Sequence, residues 1–324
     1  MLKKFIVAAV VALLGGHAAA QDFPAKPVTI IVGVAPGGTL DALARLLAKG
    51  MAPILGQSVV VENVTGAGGL VGMQKLARSE PDGHTLNFTN MSLVIIPHLY
   101  PKGGVDPLKD LSPVGSVGTV PMVLSVSNAS GIKDLPDLLE RMKRNPGKLN
   151  FGNGGAGTTA HLSEAMFLNI TKAEATLVQY RGSGPAISDL MAGTIDAVID
   201  QTVTMMPLHA DKRIKAIAVS TPKRVPQMAD VPTFAEGGVP QFDLMIWNGL
   251  VAPKGTPKPV IDKLAAAVSQ VIDSPEFKGR LDKLAADAPA PEERGPDAMR
   301  KLIERDTARV ADVVKAIGLK PGQQ

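Results

Sequence analysis

Residues 28–51 read VTIIVGVAPGGTLDALARLLAKGM. The first seven, 28–34, are a continuous apolar run of the kind a strand buried on both faces requires. Pro36, Gly37 and Gly38 interrupt it, and Leu40, Leu43, Ala44, Leu47 and Met51 then recur at helical spacing. A strand, a glycine turn and an amphipathic helix in that order are the opening of an α/β unit. Reading outward, 59–61 is a second apolar strand, 66–69 a second glycine break, 69–79 a second helix and 85–89 a third strand. The order βαβαβ predicts an open, mostly parallel sheet with helices on both faces.

The pattern then repeats. Strands are expected at 114–117, 122–126, 148–151, 176–180, 197–199 and 214–219, with helices over 132–142 and 161–169. A stretch rich in Pro and Gly runs from 221 to 240. After a late strand at 245–251, Val260, Ile261, Leu264, Val268, Val271 and Ile272 form a helical stripe with no strand to follow. Helices of that kind must pack on something already built, so the C-terminal part is expected to return to the first unit. A chain of 324 residues suits two lobes better than one core. The expected division is 1–20 as a signal peptide, 21–124 with 246–324 as lobe 1 and 125–245 as lobe 2. Two crossings between lobes make a hinge and a cleft, where ligands commonly bind.

Composition narrows the function. Aromatic residues are only 3% of the chain, too few for a platform that stacks sugars or bases. Lys3 and Lys4, the apolar stretch 5–14 and Ala18-Ala19-Ala20 follow the pattern of a secretory signal cleaved after Ala20. Ten apolar residues are too few to span a bilayer. Loss of the two lysines leaves a net charge of +2, too weak to point to nucleic acid or lipid. There is no cysteine, hence no disulfide, no thiolate chemistry and no lipid anchor at the cleavage point.

One local design occurs three times, a strand end followed by a glycine loop and a helix start. The loops are Ala35-Pro36-Gly37-Gly38-Thr39, Thr65-Gly66-Ala67-Gly68-Gly69 and the stretch from Gly152 through Asn153 and Gly157 to Thr158 and Thr159. A helix N-terminus offers unsatisfied N–H groups and a partial positive charge, and glycine lets a ligand approach the backbone. An anion site of this kind needs no Arg or Lys. A tight turn explains any one loop alone. Two loops in one lobe facing one in the other would hold two carboxylates of a single molecule.

Gly152, Gly154 and Gly157 also match the dinucleotide fingerprint G-x-G-x-x-G. Where that fingerprint needs an acid to bind ribose, this chain has Gln179-Tyr180-Arg181. Asp41, in the first turn of its helix, complements the helix dipole and is expected to hold its loop from behind or to organise water. Asp200 ends an apolar strand and serves equally well as a cap for the next helix or a ligand contact. The histidines show no metal spacing, and His161 is expected to pack or cap. No nucleophile elbow, zinc-protease motif or Walker loop occurs, so no catalytic residue, metal or cofactor is expected.

These residues, taken in order, resemble a known family. The carrying segments are Ala35-Pro36-Gly37-Gly38-Thr39-Leu40-Asp41 with Arg45, Glu62-Asn63 with Gly66-Ala67-Gly68-Gly69, Pro81-Asp82-Gly83-His84 and Gly157-Thr158-Thr159-Ala160-His161. Tyr180-Arg181-Gly182 with Gly184-Pro185, Asp200, Val231-Pro232-Thr233, and Trp247 with Ala252-Pro253 follow at matching spacing. The chain resembles the extracytoplasmic solute receptors of tripartite tricarboxylate transporters, the Bug or TctC family. The resemblance implies a two-lobed Venus-flytrap fold of the two-crossing type and a small organic carboxylate as ligand. Its expected contacts are Ala35, Gly37, Gly38, Thr39, Gly68, Gly69, Asn90 and Ser92 on one side, and Asn153, Gly157, Thr158, Thr159 and Asp200 on the other. Where the family often has an aromatic residue two before the loop proline, this chain has Val34. A periplasmic monomer that delivers its ligand to membrane permease subunits is the expected function. An exported NAD-dependent or hydrolytic enzyme, or a sensor for a membrane kinase, is the alternative.

Overall fold

The computed structural model describes residues 23–316, so the expected signal segment at 1–20 lies outside the described residues. The apolar run that opens the sequence forms β1 (Val28–Val32), and the glycine break leads into α1 (Thr39–Leu55). Leu43, Leu47, Met51 and Leu55 are buried on one face of α1, each contributing about 2 kcal/mol by leaving water. β2 (Val59–Asn63), α2 (Leu70–Ala77) and β3 (Thr85–Asn90) complete the expected βαβαβ unit, with β1 parallel to both β2 and β3. α3 (Ser92–Leu99) follows β3 directly and was not expected from the sequence.

The strands expected at 114–117 and 122–126 are one 16-residue strand, β4 (Leu111–Val126). Its first part, up to Pro121, pairs antiparallel with β9 (Met245–Pro253), and its last part, from Met122, pairs antiparallel with β7 (Ala197–Gln201) and β8 (Lys215–Val219). Register shifts at Pro113/Gly115 and Ser116/Gly118 absorb Pro113, Gly115 and Gly118, while Pro121 pairs in register with Met245.

The second unit repeats the first. It contains α4 (Leu135–Arg144), β5 (Asn150–Asn153), α5 (Thr159–Thr171), β6 (Thr176–Gln179), α6 (Ser183–Ala192) and α7 (Thr202–Ala210). β5 is parallel to β6 and β7. The strand order is β2-β1-β3-β9-β4-β7-β5-β6, with β8 on β4. Parallel pairing is thus confined to the outer strands, and the two long strands between the lobes run antiparallel, which makes the curled sheet mixed. The C-terminal α8 (Lys258–Asp273), α9 (Pro275–Asp282) and α10 (Gly295–Ala316) return as expected: α8 packs on α1, and α10 on β4 and α3. The lone tryptophan pins this return, with Trp247 Nε1 donating to Asp306 Oδ2 at 2.8 Å. Among the described residues no helix is long and apolar enough to cross a membrane.

Candidate functional site

The glycine loops meet. Ala35 N–H donates to Arg181 O at 2.8 Å, and Thr39 Oγ1 lies 3.4 Å from Thr204 Oγ1. A Cβ added at Gly68, whose φ is +64°, would sit 2.1 Å from Ala156 O, and one at Gly184 would sit 2.2 Å from Pro36 O. Only residues without a side chain permit the two walls to come this close, and in this structure the walls touch across the cleft.

Between the walls is a cavity of about 30 Å³ bordered by Gly38, Thr39, Gly68, Asn90, Ser92, Thr158, Thr159 and Asp200, together with Val34, Leu40, Ser183 and Gln201. No Lys, Arg or His is among them. The lining is the start of five helices: Thr39 opens α1, Ser92 α3, Thr159 α5, Ser183 α6, and Gln201 precedes α7. Four of the five, α1, α3, α6 and α7, begin with no side-chain cap. In α3 the Ser92 N–H already donates to Asn90 Oδ1 at 2.9 Å, whereas the first N–H groups of α1, α6 and α7 are left for another acceptor; each N-terminus brings roughly half a positive charge. α5 alone is capped, by Thr158, whose Oγ1 accepts from His161 N–H at 3.4 Å.

The remaining expected contacts lie beside the cavity and not on it. Ala35 is engaged with Arg181, and Gly37 N–H donates to Asp41 Oδ2 at 3.2 Å. Gly69 packs against Gly33 and Ile96, and Gly157 against Ile96 and Leu99. Asn153 is fully buried; its Nδ2 donates to Glu164 Oε2 at 2.8 Å and its Oδ1 accepts from Gly155 N–H at 2.9 Å, which shapes the third loop from behind. At Gly152 an added Cβ would strike Ile195 at 2.3 Å, so this glycine of the dinucleotide-like run answers to packing.

Asp41 does hold its loop from behind. Besides Gly37, it accepts from Arg45 Nε at 3.1 Å and Asn63 Nδ2 at 3.0 Å, and Asn63 Nδ2 also reaches Val34 O at 3.0 Å. Burial raises the carboxyl, but these donors outweigh it and hold it below the usual carboxylate range. Asp200 is buried and does not occupy the cap position of α7, which falls to Gln201; its Oδ1 accepts from Gln201 N–H at 2.6 Å. His161 is buried off the cavity, and burial lowers its pKa, disfavouring a charge there.

Sequence reasoning missed Ser183 and Gln201. Gly182-Ser183-Gly184 is a fourth glycine-flanked helix start, and its composition was the available signal. Gln201 carried none; its Oε1 accepts from Asn248 Nδ2 at 3.0 Å, tying the site to the crossing strand β9. A larger surface groove along Leu139, Met142, Ile170 and Val239 lies on another face and gathers no helix starts. Among the described residues no three metal-ligating side chains come together.

The model of the tripartite tricarboxylate transporter family receptor matches residues 43–319. BugT of Bordetella pertussis is 34% identical over 303 residues, covering 93% of this chain and 92% of its own. Among solved structures, the periplasmic binding protein BugD superposes with a TM-score of 0.89 at 34% identity, covering 92% of this chain and 100% of its own. MatC of Rhodopseudomonas palustris, solved with bound malate, superposes with a TM-score of 0.85 at 35% identity, covering 90% and 100%. With most of its length matched and its two-lobed fold shared, this chain belongs to the tripartite tricarboxylate transporter receptor family and is a periplasmic solute-binding protein, not an enzyme.

Proposed function

We propose that this protein captures a small organic carboxylate in the cavity between its lobes and presents it, closed, to membrane permease subunits of a tripartite transporter. The observation that carries the reading is five helix N-termini, three of them with no side-chain acceptor at their first N–H groups, opening onto one cavity that no cationic side chain borders. Such a site attracts negative oxygen through fixed N–H dipoles. Gly38, Thr39, Gly68, Asn90, Ser92, Thr158, Thr159 and Asp200 are the contacts this reading assigns. The malate held by MatC is of the same chemical class.

The lobes we assign are 21–124 with 246–324 and 125–245, a division supported by β4, which exchanges β9 for β7 and β8 between Pro121 and Met122. Cleavage after Ala20 and a monomeric state belong to the same reading. A thermal-shift screen of malate, succinate, citrate and adipate tests it, since a ligand that binds only the folded state raises Tm. At least one acid is expected to do so, and Gly38→Val and Thr159→Trp are expected to abolish the shift. An unchanged shift in both variants would place the site elsewhere.

A further inference from the structure

Asp200 is a carboxyl group on the wall of a site built for carboxylates. It is 2% exposed; Oδ1 accepts from Gln201 N–H, while Oδ2 has no hydrogen-bond partner. The Ser183 hydroxyl lies near the carboxyl and partly offsets its burial, but makes no bond of good geometry to Oδ2. Behind it Glu164 is fully buried, held by Asn153 through Oε2 and unpartnered at Oε1.

The elements around β7 supply no compensating cation. α5 brings Glu164 and His161, and burial disfavours a charge on that histidine. On α6, Asp189 accepts from Tyr180 OH, and on α7, His209 is paired with Asp230. β4 and β5 carry no titratable side chain, Arg45 on α1 is committed to Asp41, and Arg181 before α6 is exposed and off the cavity. A bound carboxylate would therefore share a dry space with the Asp200 carboxyl, with only N–H dipoles to balance the two and the buried Glu164 behind. Like charges so placed cannot all stay ionised.

We propose that Asp200 takes a proton from solvent as the cleft closes and keeps it on Oδ2, from which the neutral acid donates a hydrogen bond to an oxygen of the bound carboxylate, so that ligand capture is coupled to uptake of about one proton. This rests on the carboxylate reading above. It makes Asp200 a specificity determinant: the neutral acid is a hydrogen-bond donor and favours a ligand oxygen with no hydrogen of its own. Burial, which raises the Asp200 carboxyl above its ordinary range, acts in the same direction.

The experiment has two stages. Malate, succinate, citrate and adipate are first screened by thermal shift at pH 7. Silence from all four defeats the carboxylate reading and this proposal with it. The acid giving the largest shift is then titrated calorimetrically in phosphate and in Tris, whose different ionisation heats report protons exchanged. The wild type is expected to take up close to one proton per ligand at pH 7, with Kd rising about tenfold per pH unit from pH 6 to 8, where these acids are mostly or fully ionised. Asp200→Asn is expected to bind with a flat pH profile and almost no uptake. Wild-type binding without uptake, or undiminished uptake in the variant, overturns the proposal.

Should Asp200→Asn not fold, as read by circular dichroism, Glu164→Gln decides. Uptake that persists there assigns the proton to Asp200; uptake that vanishes assigns it to Glu164 and overturns the proposal. A preference for amino or 2-hydroxy acids with no uptake also overturns it, because an ionised Asp200 would then be accepting a hydrogen bond from the ligand.

Discussion

Glu164→Gln separates a buried neutral acid from a buried charge. Glu164 has no exposed surface, and burial lifts its carboxyl to about 8, a rise that Asn153 and the Ile199 N–H oppose and the Asp200 charge reinforces. In the unfolded chain it titrates near 4.5. The folded value lies above the unfolded one, so the neutral acid's contribution is fully present below pH 4.5 and is lost as pH rises through about 8. At pH 7 the native state keeps nearly all of this proton while the unfolded chain has released it. Over those 2.5 pH units, at ~1.4 kcal/mol each less the part due to an unfolded carboxyl still half protonated at pH 4.5, about 3 kcal/mol of stability is lost.

Glutamine keeps the shape and the acceptor for Asn153 and places an N–H where the protonated acid has its O–H, but it does not titrate. The variant should therefore escape that loss. Urea denaturation followed by far-ultraviolet circular dichroism at both pH values measures it. The wild type should lose about 3 kcal/mol more than Glu164→Gln between pH 4.5 and 7, or ~5 °C in Tm for a chain of this length. Parallel pH profiles would mean that Glu164 is ionised in the native state and that the helix starts around it supply more positive potential than argued above.

Three other outcomes follow from the contacts. Gly68→Val puts a side chain where Ala156 O already stands, and should weaken carboxylate binding ~10- to 100-fold by calorimetry while leaving the fold intact by circular dichroism. Asp41→Ala removes the acceptor shared by Gly37, Arg45 and Asn63, and should cost about 1–3 kcal/mol in urea, with a shallower loss of stability below pH 4 because the depressed carboxyl contributes only while ionised. Asp306→Ala leaves the buried Trp247 N–H without a partner and should cost about 2 kcal/mol, with tryptophan fluorescence shifting before the helical signal is lost as α10 loosens from β9.

Legibility followed the kind of burial each segment has. β1 and α1 were readable because one is apolar throughout and the other apolar on one face. α3 was not: Leu93, Val94, Ile95 and Ile96 are all buried, so the helix has no polar side to reveal its period, and Pro97 argues against it. β4 was broken in two because Pro113, Gly115, Gly118 and Pro121 mark turns in ordinary strands, whereas here two bulges against β9 absorb the first three and Pro121 pairs in register. At the site, Gly38, Thr39, Thr158 and Thr159 stand at strand–glycine–helix junctions and were visible for that reason. Ala35 stands at the same kind of junction, but its N–H is spent on Arg181 across the cleft, a fact no local pattern contains.

An anion site made of helix starts, as proposed, would make capture and closure go together. α1 and α3 follow β1 and β3 on one side of the cleft; α5, α6 and α7 follow β5, β6 and β7 on the other. Neither set alone surrounds the cavity, so a carboxylate completes its shell only when the walls meet. An Arg-based site would hold the anion in the open form almost as well, since a flexible side chain can follow its ligand. Backbone N–H groups cannot follow; they stay where their helices stay, and most of their contribution exists only in the closed state. A ligand shifts an equilibrium by its difference in affinity for the two states. Splitting the dipoles between lobes makes that difference large, and reopening at the transporter returns the ligand to half a site that binds it weakly.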